Sequence, residues 1–87
     1  MLKIHRSANG EVVFTLSGRL DHETTAELES LIGEETKDQQ IVLNLRDLTL
    51  VGQGGIEFLA RCEAAGIKLV NCARYVRDWI AREQSVE

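Results

Sequence analysis

The chain predicts an α/β fold with element order ββαβαβα: a mostly parallel four-stranded sheet, antiparallel at its N-terminal strand and covered by helices. Three features carry that expectation. Asn9-Gly10 separates two short extended segments at the N-terminus, the signature of a tight hairpin. The apolar runs Ile41–Leu45 and Ile67–Val70 are each followed by a stretch with helical spacing. Strands alternating with helices of about ten residues imply right-handed crossovers and parallel pairing.

The first strand is read from Leu2 to Arg6, and Ser7-Ala8-Asn9-Gly10 forms the turn. The second strand is read over Val12–Ser17, with Val12, Phe14 and Leu16 on one face and Val13, Thr15 and Ser17 on the other; Gly18 ends it. Asp21 caps the following helix by accepting a bond from a free N–H near Thr24. Leu28, Leu31 and Ile32 form the buried stripe of that helix, and Glu23, Glu27 and Glu29 its wet face. Gly33 is placed just past its end, and Glu34–Gln40 is a polar connection.

Ile41–Leu45 reads as a buried central strand that continues in extended form through Leu48–Val51. The second helix is expected to start at Gly55 or Ile56 and to end before Gly66. Ile67–Val70 is the last strand. The last helix spans about Ala73 to Arg82, with Ala73, Val76 and Ile80 as its stripe and Trp79 beside it.

With 87 residues there is room for one core, so residues 1–87 are taken as a single domain. The apolar fraction of 44% and charged fraction of 28% are those of a globular chain, not a disordered one. A formal charge of −4 argues against a nucleic-acid binder. No apolar run has the length of a membrane span, and the N-terminus lacks the apolar core of a signal peptide. Two cysteines, Cys62 and Cys72, make neither a disulfide framework nor a CxxC site, which fits reduced thiols in the cytoplasm.

The glycine cluster Gly52-Gln53-Gly54-Gly55 is the most unusual local feature. It sits where a strand hands over to a helix N-terminus, a natural anion site. A Walker loop would need GK[ST] where Gly55-Ile56-Glu57 stands, and a dinucleotide loop would need glycine in place of Glu57. A tight strand-to-helix turn without phosphate is the favoured reading. His5 and His22 lack partners at metal spacing, and His22 reads as a solvated surface residue. No serine sits in a G-x-S-x-G elbow, and Cys62 falls mid-helix, where a small buried hydrophobe is the usual role. Tyr75 and Trp79 read as packing residues rather than a ligand cage. Neither catalysis, a cofactor nor a metal is expected.

The order of four segments resembles the STAS domain family, which includes the bacterial anti-sigma-factor antagonists. Val13–Asp21 resembles that family's strand followed by G-x-L-D, and Ile41–Leu48 its central strand. Val51–Ile56 lies where the family has an apolar residue, Asp-Ser-Ser-Gly or Asp-Thr-Gly-Gly, and another apolar residue. Gly66–Asn71 with Val76 and Ile80 matches the later strand and helix. The resemblance covers about residues 10 to 81 and implies a STAS-like fold. In the antagonists a partner kinase, itself the anti-sigma factor, phosphorylates the Ser after the loop Asp. That Ser corresponds to Gln53 and the Asp to Gly52, so this chain lacks both the hydroxyl and the carboxylate. Gln53 does not mimic a phosphate of about −1.5 to −2 charge. The second helix reads about a turn short, and the chain stops short of the usual final strand and helix.

The resemblance implies a non-catalytic protein-interaction module. It would bind its partner through Asp21, His22, Gly52, Gln53, Gly54, Gly55 and Glu57, because loops that follow parallel strands share one end of the sheet. The expected partner is an anti-sigma-factor-like kinase, in transcriptional signalling. An accessory role on an ABC-type transporter ATPase is the alternative, since Gln53-Gly54-Gly55 shares the Gly-Gly of a Thr-Gly-Gly loop. A small-ligand or nucleotide sensor comes third.

Overall fold

The computed structural model describes residues 2–35 and 39–85. Its elements are β1 (Leu2–Ala8), β2 (Val12–Leu20), α1 (Thr25–Gly33), β3 (Ile41–Val51), α2 (Gln53–Ala64), β4 (Lys68–Val70) and α3 (Arg74–Ser85). The strands lie side by side in the order β1-β2-β3-β4, with β1–β2 antiparallel and the other two pairings parallel. The expected ββαβαβα order and mixed sheet are both present. Three residues of the polar connection, 36–38, lie outside the described residues.

The hairpin closes at Ala8↔Val12, leaving Asn9, Gly10 and Glu11 as its loop. Only Gly10 takes positive φ there (89°), so the Asn-Gly signal marks the turn correctly but one glycine supplies its left-handed step.

β2 does not end at Gly18 as expected. It runs on to Leu20, and Gly18 (φ 96°) sits at an irregularity of the β2–β3 ladder. The offset between partners grows from 29 at Val12↔Ile41 to 30 at Ser17↔Asp47 and 31 at Leu20↔Val51, so β3 carries one extra residue at each of two bulges. Polar side chains hold both. Asn44 Oδ1 accepts from the Arg46 N–H (3.1 Å) and from Asn71 Nδ2 (3.0 Å), while Thr49 Oγ1 donates to the Gly18 carbonyl (3.0 Å).

Both crossovers, β2-α1-β3 and β3-α2-β4, step in the same direction across the sheet. Right-handed connections that step the same way put their helices on one face. That face carries the core. Phe14, Leu16 and Leu43 are fully buried against Leu28 of α1, Ile56 and Leu59 of α2, and Val76 and Ile80 of α3. Val42, also buried, lies outside that cluster in the row Val13–Val42–Lys68 on the opposite face. The apolar run of β3 is therefore buried on both sides, yet helices cover only one.

In α1, Leu28 is buried and Leu31 and Ile32 are half-buried, as their spacing predicts. Gly33 is not a C′ residue. It is the last helical residue, and Glu34 (φ −81°) continues the turn by donating to the Ser30 and Leu31 carbonyls, so no left-handed residue is needed. α2 begins at Gln53 rather than Gly55, because Gly52 in extended conformation is its N-cap and the Ile56 N–H already reaches the Gly52 carbonyl. Its end is as expected. Gly66 (φ 96°) donates to Glu63 and Ile67 donates to Cys62, the paired bonds of a Schellman stop. β4 starts one residue late, at Lys68. α3 begins after Ala73, which is exposed and outside the buried stripe of Val76 and Ile80.

α3 runs antiparallel to α2. Arg77 Nη1 meets Glu63 Oε2 at 2.7 Å near the end of α2, and Glu83 near the end of α3 meets Gln53 at the start of α2.

Leu43 is the central core residue, wholly buried and paired with Phe14 and Leu69 on either side. Leu43→Ala is expected to lower unfolding free energy by about 2–5 kcal/mol in denaturant melts. A loss below about 1 kcal/mol would remove β3 from the centre of the core.

Candidate functional site

β2 and β3 run parallel, so the segments that follow them emerge at the same end of the sheet. There the two loops are in backbone contact. The Gly52 N–H donates to the Leu20 carbonyl at 2.9 Å. A Cβ on Gly55 would lie 2.5 Å from the same carbonyl oxygen, and one on Gly54 would lie 2.4 Å from His22 Cβ and 2.8 Å from its backbone N. Neither glycine takes positive φ. Their role is to let the first turn of α2 slide under residues 20–22, not to make a tight turn. Gly52 is less constrained, since a Cβ there would meet Asp21 Cβ at an ordinary 3.5 Å.

The segment lying over α2 is itself held in shape. Asp21 Oδ1 accepts from the N–H groups of Glu23 (3.0 Å) and Thr24 (3.1 Å), and Thr24 Oγ1 accepts from the Asp21 N–H (2.9 Å). Asp21 therefore receives the bond from Thr24 that its position suggests, in a turn that precedes the regular part of α1. The Thr24 N–H above all, with the Glu23 N–H and the nearby Arg19 charge, holds the Asp21 carboxyl below the usual aspartate range, despite a smaller opposing effect of burial. At neutral pH it is a carboxylate.

Gln53 is exposed at the first position of α2, and Glu57 is exposed one turn on. Gln53 Nε2 donates to Glu57 Oε2 (3.2 Å) and to Glu83 Oε1 (2.7 Å). Asp21, His22, Gly52, Gln53, Gly54, Gly55 and Glu57 thus all lie at one end, as parallel strands require. The sequence reading missed Glu83 and, at Thr24, named the N–H but not the hydroxyl that accepts from Asp21. Helical periodicity places Glu83 on the last helix but says nothing of that helix's direction against α2. The Thr24 hydroxyl could have been found from its spacing of three from Asp21, the reciprocal pattern of a capping box.

Nucleophilic groups are unpromising. Burial pushes the Cys62 thiol up to about 12, and burial also raises Cys72. Among the described residues no three His, Cys, Asp or Glu side chains converge in a metal-holding group. Among the described residues no helix is long and apolar enough to cross a membrane.

Substitution tests the glycine contact directly. Gly54→Ala and Gly55→Ala force the two loops apart and are expected to cost about 1–3 kcal/mol each in melts. Gly33→Ala, in a helix with open space around the new methyl, is expected to be neutral or stabilising by up to about 1 kcal/mol. Equal effects at all three positions would show that Gly54 and Gly55 are not contact glycines.

The sequence matches the STAS domain family over residues 2–81. The fold is similar to the crystal structure of an uncharacterized protein from the DUF3478 family with a SpoIIAA-like fold from Shewanella loihica PV-4. The two are 16% identical, with a TM-score of 0.49, over 95% of this chain and 76% of that one. No curated protein matches the sequence. The family match runs through every strand and most of α3, and the chain belongs to the STAS domain family.

Proposed function

We propose that this chain is a non-catalytic STAS module, one domain over residues 1–87, that docks a protein partner on the C-terminal end of its sheet. Its footprint comprises Asp21, His22, Gly52, Gln53, Gly54, Gly55 and Glu57. The close approach of Gly54 and Gly55 to Leu20–His22 supports this reading most. Two loops in backbone contact present His22, Gln53 and Glu57 as a fixed surface, and a fixed surface loses little entropy on docking.

Within that reading, the likeness to anti-sigma-factor antagonists favours an anti-sigma-factor-like kinase as partner. Gln53 stands where an antagonist carries its phosphorylated Ser. Its amide cannot accept a phosphate, so binding is constitutive or regulated elsewhere. The Gly54-Gly55 pair, both members of which the loop contact requires, favours a transporter ATPase as the second possibility. A small-ligand sensor is the least favoured, because the loop carries no Lys or Arg to meet an anion.

A photo-cross-linking residue in place of His22, used in the full chain in its native cells, is expected to capture one protein, and mass spectrometry would tell kinase from ATPase. The same residue at Ser30, on the exposed face of α1, is expected to capture none. Equal capture at both positions, or none at 22, would refute docking at this end.

Incubation with an anti-sigma-type kinase is expected to leave residue 53 unmodified and the complex intact by mass spectrometry. The double variant Gly52→Asp with Gln53→Ser has the better chance of being phosphorylated, since Gln53→Ser alone supplies no neighbouring carboxylate. A phosphate on Thr49 of the unaltered protein that weakened the complex would overturn the constitutive reading.

A further inference from the structure

The amide of Gln53 has two hydrogens, and both are engaged. Glu57, one turn along the same helix, takes one at 3.2 Å, and Glu83 takes the other at 2.7 Å. The two contacts differ in kind. Glu57 is fixed to Gln53 by helix spacing. Glu83 arrives from another element and reaches the loop only because α3 runs antiparallel to α2, with Arg77 Nη1 against Glu63 at 2.7 Å setting the pairing lower down. Glu83 also lies beyond residue 81, where the family match stops. The last turn of α3 therefore ends on an exposed side chain of the docking loop.

We propose that Glu83 is a latch on the docking end. While it holds the Gln53 amide, that amide has no hydrogen left for a partner, and a docking protein must displace Glu83 to reach it. This proposal rests on the partner reading above and adds its regulation: access is set from within the chain, by the last turn of α3, not by modification of residue 53. The shorter Glu83 contact is charge-assisted and solvent-exposed, strong enough to orient the amide and weak enough to be exchanged for a partner's acceptor.

The test compares Glu83→Ala with Glu83→Gln in the full chain. Both remove the same charge, but only Glu83→Gln keeps an acceptor oxygen at the same reach. Amide hydrogen exchange at Ile56 and Glu57, in the first turn of α2, is the readout that needs no partner. It is expected to rise about three- to ten-fold in Glu83→Ala and to stay near the parent rate in Glu83→Gln. Affinity for the protein captured through residue 22 is expected to rise by a similar factor in Glu83→Ala alone. Exchange within twofold of the parent in Glu83→Ala, or equal changes in both variants, overturns the latch. Faster exchange without tighter binding overturns its regulatory role and leaves the partner reading standing. Capture of no protein through residue 22 removes the partner reading, and the latch as a regulator with it, whatever the exchange rates show.

Discussion

Everything at the candidate site depends on one steric fact: the backbone of Gly54 and Gly55 lies where a side chain would collide with Leu20 and His22. The first turn of α2 tucks under the strand-to-helix connection of β2. That position fixes the direction of α2, and α2 in turn seats Ile56 and Leu59 in the core. The Gly52 N–H bond to the Leu20 carbonyl ties the same two segments by hydrogen bonding. Strand pairing, helix direction and the shape of the exposed end are thus coupled through two missing methyl groups. A larger residue at either position would have to move a backbone, and backbone in a packed end has little room to give.

The sheet shows why those loops meet at the same height. A straight parallel ladder between β2 and β3 would keep the offset at 29 and deliver their ends in another register. The two bulges add two residues to β3, and Leu20 then lies opposite Val51 as both chains leave the sheet. Bulges leave backbone groups without ladder partners, and Asn44 and Thr49 supply replacements from their side chains. Asn44 also holds Asn71, the one described non-glycine residue with positive φ (55°), just past the end of β4. A polar residue within an apolar strand run is thereby explained by geometry.

Around this frame the charges are distributed unevenly. α1 carries no basic residue, and its first turn is acidic, with Glu27. Glu57 and Glu83 gather on Gln53, and Asp21 is held ionised by backbone N–H groups. The bidentate pair of Arg6 with Glu35 (2.8 and 3.0 Å) lies apart, joining β1 to the residues after α1. Its exposed position makes it a minor contributor to stability. Placing acidic groups near the start of α2 suits the helix dipole, which favours negative charge there.

Much of this protein was determined by sequence alone, because the signals are local. Alternation in Val12–Leu16, the apolar run of Ile41–Leu45, the Asn9-Gly10 turn and the Gly66 stop each act through neighbouring residues and can be read without a partner. The family's fold follows from their order, and the candidate site follows in outline, since parallel strands put Asp21, His22 and the Gly52–Gly55 loop at one end. Tertiary structure decided what depends on distant residues. Gly18 looks like a strand terminator until β3 is beside it, where it pairs with Leu48 next to a bulge of β3. Gly33 looks like a helix stop, but nothing around it requires positive φ. Gly54 and Gly55 look like a turn, and only the packing of residues 20–22 reveals why they have no side chains. Glu83 reaches Gln53 because α3 turns back along α2, a direction set by the packing of Val76 and Ile80 into the core. No periodicity along one chain segment encodes that direction.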